Sequence, residues 1–235
     1  GVGTNAKTIK GDGSEYLTAI LYMTPYKVMV DGKHFNSCSM AEQASCIEGC
    51  LYTAGRGRMS NVQTARQRKA EWFYRDRVGF MKQLYHDIQK FSNYCKKRGI
   101  QPCVRLNGTT DIRWELIPAM PHNKMNIFQE FPEVQFYDYT KIPNRKVADY
   151  PNYHLTWSYS SANPKYEELF WDVIRKGMSV AVVFRKPINM TTWRGYKVVD
   201  GDKDDLRFLD PQSSIVALYA KGAAKHDSTG FVQDI

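Results

Sequence analysis

The chain has 235 residues, of which 43% are hydrophobic and 24% are charged, and its 33 Lys and Arg residues outnumber 24 Asp and Glu residues. This composition excludes collagen-like, fully disordered and membrane-embedded proteins, and the length suits one hydrophobic core. We therefore expect a single domain over residues 1–235. With no signal-peptide pattern and no apolar stretch long enough to cross a bilayer, the expected location is the cytoplasm.

The first part of the chain predicts a strand, a loop and a long helix. Thr18–Met23 is apolar and aromatic, as in a buried strand, and the polar loop 32–58 follows it. From Ser60 onward, apolar residues recur every three or four positions as far as Cys95. This spacing predicts one continuous helix that ends at Gly99 and buries Cys95 in the core.

Strands and helices alternate through the rest of the chain. Strands are predicted at Pro102–Asn107, Val134–Tyr139, Tyr153–Tyr159, Met178–Phe184 and Ser214–Ala220, and helices at Asn126–Phe131 and Pro164–Lys176. This alternation indicates an α/β fold, either a partial (β/α) barrel or an open, mostly parallel sheet. The cysteine loop 32–58 and the C-terminal segment 194–235, which begins with an acidic run, are expected as appendages to this α/β core.

Three of the five cysteines, Cys38, Cys46 and Cys50, lie within thirteen residues. Thiolates are soft ligands that select iron–sulfur clusters, zinc or copper(I), and three of them suit a 4Fe-4S cluster with one open iron. Zinc would need a fourth ligand such as His34, and the usual pairs of closely spaced zinc ligands are absent. The sequence favours iron–sulfur over zinc, and purely structural cysteines remain an alternative.

Two charged segments carry further alternatives. The region Arg56–Lys82 concentrates basic residues, which indicates either a nucleic-acid or phosphate-binding surface or a solvated helix face. The acidic run Asp200–Asp205 suits a metal site or, with better support, a solvated turn, because it lacks the final Glu of a calcium loop. His154 is expected as a core histidine.

The segment Ser37–Gly57, with the sequence SCSMAEQASCIEGCLYTAGRG, strongly resembles a bacteriophage protein family. Further matching blocks are Val104–Asp111, Tyr153–Ser158, Asp200–Asp202 and Asp205–Pro211, so the resemblance covers most of the chain. The order of strand, three-cysteine loop, helix and βα units is also similar to that of radical S-adenosylmethionine (SAM) proteins. Their cysteines are generally separated by three and two residues, whereas seven and three separate those of this chain.

These resemblances imply a phage protein of the host cytoplasm with a radical-SAM-like half barrel, and they supply no substrate or reaction. In that family the three cysteines hold three irons, and SAM chelates the fourth. Carried onto this chain, the likeness implies that Asn107, Thr109 and Asp111 contact the ammonium or hydroxyl groups of the ligand, and that Arg105 or Arg56 meets its carboxylate. A turn built from turn-prone residues explains Asn107–Asp111 equally well.

The second functional hypothesis is a nonenzymatic accessory protein. In this alternative an iron–sulfur or zinc site staples the cysteine loop, and the basic region Arg56–Lys82 binds nucleic acid. The oligomeric state does not follow from the sequence.

Overall fold

The computed structural model describes residues 15–235, apart from the side chain of Thr53, so the first part of the predicted domain lies outside the described residues. Its strands are Tyr16–Ile20 (β1), Lys27–Val30 (β2), Lys33–Asn36 (β3), Gln101–Arg105 (β4), Gln135–Thr140 (β5), Tyr153–Ser158 (β6), Val180–Phe184 (β7), Thr192–Trp193 (β8), Tyr196–Asp200 (β9), Ile215–Tyr219 (β10) and Val232–Gln233 (β11). Its α-helices are Ser60–Arg75 (α1), Arg77–Lys97 (α2), Ile127–Glu130 (α3) and Pro164–Arg175 (α4).

The main sheet has the strand order β1-β4-β5-β6-β7-β10-β9-β8, and β11 pairs with β7 beside this path. All pairs are parallel except β8 with β9. The predicted α/β fold with a mostly parallel sheet is confirmed. Because β1 and β8 end the pairing order, the described strands do not close into a barrel.

Six parallel strands, β1, β4, β5, β6, β7 and β10, are neighbours in the order in which the chain forms them. Such sequential winding places every crossover on the same side of the sheet when the connections share one hand. The segment 194–235, expected as an appendage, contributes β9, β10 and β11 to this sheet.

Helices α1 and α2 cover one face of the sheet with the predicted apolar stripe. Phe73, Phe80 and Ile88 are buried against strand residues such as Val104 and Phe136. Each buried side chain of this size contributes about 1.5–3 kcal/mol to folding. Cys95 is fully buried, as predicted.

The prediction of one continuous helix from Ser60 to Gly99 is wrong in one respect, because the helix is interrupted at Asp76. There the backbone leaves the helical region (φ −134°, ψ 79°), and the Asp76 carboxylate accepts a hydrogen bond from the Gly79 amide at 2.9 Å. Asp76 therefore ends α1 and caps α2. The apolar stripe continues across the break, which is why periodicity alone does not reveal it.

A β-hairpin also occupies the start of the predicted cysteine loop. β2 and β3 pair in antiparallel fashion around Asp31 and Gly32, which both have positive φ (50° and 74°). An Asp-Gly pair with this backbone is the preferred two-residue hairpin turn. The hairpin leads directly into the cysteine segment, whose first residue, Ser37, donates a backbone hydrogen bond to the Tyr26 carbonyl.

The sheet face opposite α1 and α2 is polar and is covered by residues 203–210. Phe208 packs edge-on against Tyr16 and at a tilt against Tyr137, with ring centroids 5.4 and 5.3 Å apart. Beside these rings, Arg105 of β4 forms a buried ion pair with Asp205 at 2.6 Å. The acidic run Asp200–Asp205 therefore begins as a turn at residues 201–203, where Asp200 and Lys203 are exposed as the solvated-turn interpretation predicts, and ends with Asp205 buried against the sheet.

Candidate functional site

The cysteine segment 37–50 lies over the carboxyl ends of the parallel strands. The Ser37 carbonyl accepts a hydrogen bond from the Asp111 amide, and the Ala44 carbonyl accepts one from the Ser160 hydroxyl, both at 2.8 Å. The Cys38 sulfur is 3.9 Å from the Thr109 carbonyl oxygen. Asp111 and Ser160 follow β4 and β6, so these contacts place the segment at the end of the sheet where α/β proteins bind ligands.

Local hydrogen bonds fix each thiol within the segment. The Ala41 carbonyl accepts hydrogen bonds from the Cys46 amide at 3.2 Å and from its thiol at 3.8 Å. The Cys50 sulfur accepts a hydrogen bond from the Tyr52 amide at 3.5 Å and thereby caps the short 3₁₀ helix Leu51–Thr53. Cys46 and Cys50 therefore have defined positions on neighbouring turns of the chain.

Electrostatic effects among the thiols show that they share one environment. Burial raises the pKa of Cys38 to about 12, and nearby Asp111 and Cys50 act in the same direction. Burial also raises the pKa of Cys50, with Cys46 adding to the rise. Cys38 and Cys50 are consequently protonated at neutral pH, and a bound metal would have to displace their protons.

Lys141, which the sequence reasoning missed, supplies a positive charge at this site. It directly follows β5, and its ammonium donates hydrogen bonds to the carbonyls of Ser158 at 3.1 Å and Tyr159 at 3.2 Å. Burial lowers the pKa of Lys141 to about 8, while Cys46, Asp111 and Cys50 oppose the fall. The only sequence signal was its position after a predicted strand.

Arg66 of α1 is a second cation near the thiols. Its guanidinium donates a hydrogen bond to the Tyr52 carbonyl at 3.1 Å and lies over the rings of Tyr22 and Tyr52. Burial lowers the pKa of Arg66, and Cys50 is among the groups that oppose this. A Cβ on residue 57 would stand 2.6 Å from the Tyr52 carbonyl oxygen that accepts the hydrogen bond from Arg66. The hydrogen bond between Arg66 and Tyr52 therefore requires glycine at position 57.

The polar side chains of Asn107 and Thr109 already have partners within the protein, Asn107 in its own loop and Thr109 in the segment that follows β1. The Asn107 side-chain oxygen accepts hydrogen bonds from the Thr110 hydroxyl, the Ile112 amide and the Trp114 indole, all within 3.1 Å. The Thr109 hydroxyl donates to the Met23 carbonyl. This geometry matches the alternative that the segment is a turn held by its own side chains, and a ligand role for both residues stays a prediction.

Asp111 lies between the cysteine segment and a buried ion network. Its carboxylate accepts hydrogen bonds from the Thr140 hydroxyl at 2.8 Å and the Lys141 amide at 2.7 Å. Burial raises the pKa of Asp111, whereas Arg145, 3.6 Å away, opposes the rise. Arg145 is itself paired with Glu115. Asp111 is thus the acidic group of the site, and its charge is already shared.

The two predicted arginine ligands occupy different places. Arg105 is held by Asp205 and lies over the rings of Tyr137 and Tyr139, on the face covered by residues 203–210. Arg56 is exposed in the 3₁₀ turn Gly55–Arg58 that precedes α1. Only Arg56 belongs to the segment that continues from the cysteines, and no contact tests either role.

No group of three or more His, Cys, Asp or Glu side chains in residues 15–235 has an arrangement that could hold a metal ion. The three thiols share one end of the sheet, and cluster binding would require their sulfurs to approach one another more closely. The acidic run offers no such group either: Asp202, Asp204 and Asp205 pair with Lys221, Arg207 and Arg105, respectively.

Three cations of the basic region Arg56–Lys82 already have partners within the protein. Arg66 is buried, Arg75 forms a bidentate pair with Asp31 at 2.9 Å, and Arg77 lies 3.6 Å over the Phe73 ring. The exposed cations of the region are Arg56, Arg58, Arg68, Arg75 and Lys82.

His154 of β6 is partly buried, and burial together with Arg207 lowers its pKa to about 4.

The geometry defines an α/β protein whose parallel sheet carries a three-cysteine segment at its carboxyl edge. The chain belongs to the family described as Gene product 88, which matches residues 2–235, and this match supports a phage origin. Comparison with curated proteins and with solved structures gives no match. In the described part of the chain, no helix is both long and apolar enough to span a membrane.

Proposed function

We propose that Cys38, Cys46 and Cys50 bind an iron–sulfur cluster of the 4Fe-4S type. The observation that carries the proposal is the position of three thiols at the carboxyl edge of the sheet beside two cations, Lys141 and Arg66. Soft sulfur ligands suit such a cluster, and the donor set therefore fits it chemically.

Charge balance supports an anionic group at this place. Burial lowers the pKa of Lys141, and the carboxylate that opposes this fall, Asp111, is also shared with Arg145. A buried cation is costly without a compensating negative charge. Three thiolates carrying a cluster would supply that charge, whereas three protonated thiols supply none.

The sequential winding of six parallel strands supports a radical-SAM-like half barrel as the finer description of the fold. When bound, a cluster with an open iron supplies the electron for reductive cleavage of SAM. In this proposal Asn107, Thr109 and Asp111 border the ligand, Arg56 or Arg105 binds its carboxylate, and Lys141 holds positive charge beside Cys46 and Cys50. The host cytoplasm is the proposed location.

A second candidate function is nucleic-acid binding without catalysis. It draws support from the cations that remain exposed in the region Arg56–Lys82, particularly Arg56 and Arg58 beside the start of α1. In that case the cysteine site, with iron–sulfur or zinc, would only hold the loop in place. Binding of DNA or RNA that weakens steeply with salt and is lost in Arg56→Ala/Arg58→Ala would favour it.

The test of the cluster is anaerobic purification with iron and sulfide analysis and a visible spectrum. We expect about four irons per chain in the wild type and their loss in Cys46→Ser. Cys103→Ser is the matched control, because Cys103 is buried in β4 away from the segment. A spectral change when SAM is added to the reduced protein would support the open iron. Stoichiometric zinc, or no metal, would refute the proposal.

A further inference from the structure

A cavity of about 390 Å³ lies between the cysteine segment, the α1–α2 junction and the loop after β4. Its volume is within the range of about 300–1,000 Å³ that small-molecule sites occupy. Phe73, Ile112 and Ile117 give it apolar walls. Ser37 and Ser39 line it on either side of Cys38, so the cavity opens beside the first proposed cluster ligand.

The cavity carries an excess of positive charge. Arg77 and Arg113 both line it, and Asp111, its acidic residue, is engaged by Arg145, Thr140 and the Lys141 amide. Neither arginine forms an ion pair with a carboxylate in the described part of the chain. An anion bound here would therefore meet guanidinium groups that have no acidic partner to give up.

Arg77 is held in position to receive such an anion. Its Nε donates a hydrogen bond to the Phe73 carbonyl at 2.9 Å, and its guanidinium lies 3.6 Å over the Phe73 ring. These contacts fix the planar group and leave its terminal N–H groups for a ligand. Burial lowers the pKa of Arg77, and the opposing group is Tyr74 and not a carboxylate. The charge-assisted hydrogen bonds of a bound anion would compensate Arg77 for the hydration that it loses on burial.

We infer that this cavity binds a small organic anion. Its carboxylate, phosphate or sulfonate group lies on Arg77 and Arg113, and its apolar body lies against Phe73, Ile112 and Ile117. The binding itself does not need a metal. That the same anion is the substrate of the cysteine site rests on the proposed function, and the position of Cys38 beside the cavity is its support.

The probe is 8-anilinonaphthalene-1-sulfonate, whose fluorescence increases in an apolar site, with uncharged N-phenyl-1-naphthylamine as its matched neutral analogue. Metal-free and iron-loaded wild type should both bind the sulfonate, because the cavity is present in either case. Arg77→Met should weaken binding of the sulfonate about tenfold or more and leave the neutral analogue unchanged. Arg77→Lys, which keeps the charge, should lose less.

Arg98→Met is the matched control, because Arg98 lies over the Tyr94 ring at the other end of α2. Thermal melts must show that the Arg77 variants remain folded, and the double variant Arg77→Met/Arg113→Met should lose still more affinity. The inference is overturned if the native protein does not bind the sulfonate, if Arg98→Met weakens it equally, or if the double variant binds as the wild type does. Sulfonate binding by a protein that takes up no iron would sustain this inference while refuting the cluster.

Discussion

The ion pair between Arg105 and Asp205 offers the sharpest prediction about stability. It joins β4 to the C-terminal segment that covers the polar face of the sheet, with an N–O distance of 2.6 Å and side chains 9% and 3% exposed. The substitution Asp205→Asn removes the negative charge and leaves the Arg105 guanidinium buried among aromatic rings. The perturbation is nearly isosteric, so its effect reports the charge.

Removing one partner of a buried pair typically costs about 3–5 kcal/mol, because the other charge is left without compensation. Since the total stability of a domain is about 5–15 kcal/mol, this loss is a large fraction of it. For a urea dependence of about 3 kcal/mol per molar, the unfolding midpoint should fall by roughly 1–1.7 M. Replacing both partners with apolar residues, Arg105→Met/Asp205→Leu, should recover much of the loss.

Urea unfolding followed by circular dichroism measures this effect. The control is Asp172→Asn, which breaks the exposed pair between Asp172 and Lys176 and should cost less than about 1 kcal/mol. If Asp205→Asn costs no more than the control, residues 203–210 do not close over β4 as described. The arrangement of the polar face would then have to be abandoned.

Three further predictions concern single residues. Burial raises the pKa of Asp138 to about 7, so the free energy of unfolding should fall as pH rises from about 4 to 7, by at most about 1.4 kcal/mol per pH unit. In Asp138→Asn the urea midpoint should no longer show this dependence on pH. An unchanged pH dependence would refute the raised pKa of Asp138. Asp76→Ala removes the cap of α2 and should cost about 1 kcal/mol in thermal or urea unfolding, whereas no loss would argue for a continuous helix. Gly57→Ala places a methyl group against the Tyr52 carbonyl and should cost about 1–3 kcal/mol in urea unfolding; a neutral result would show that the Arg66 contact is looser than described.

Much of the fold follows from local pattern. The strands β4, β5, β6, β7 and β10 and the helices α3 and α4 fall where apolar runs and helical spacing predict them, because burial on a sheet imposes those periods. The break at Asp76 escaped prediction because a single capping contact decides it. The hairpin β2–β3 escaped because its Asp-Gly turn was taken as part of the long polar loop.

The candidate site could be predicted only in part. Cysteine spacing drew attention to Cys38, Cys46 and Cys50, and strand alternation predicted the mostly parallel sheet whose carboxyl edge carries them. Lys141 and Arg66 come from other elements, and tertiary folding alone brings them near the thiols. The partner of Arg105 is 100 positions away along the chain, a separation that no local pattern encodes.

The most direct test of the central claim is Mössbauer spectroscopy of protein reconstituted anaerobically with ⁵⁷Fe, with and without SAM. A 4Fe-4S cluster held by three cysteines should show three irons in one environment and the fourth in another that changes when SAM is added. The variant Cys38→Ser/Cys46→Ser/Cys50→Ser should give no cluster signal, while Cys103→Ser should match the wild type. A wild-type protein that takes up no iron, or that keeps its signal in the triple variant, would contradict the account.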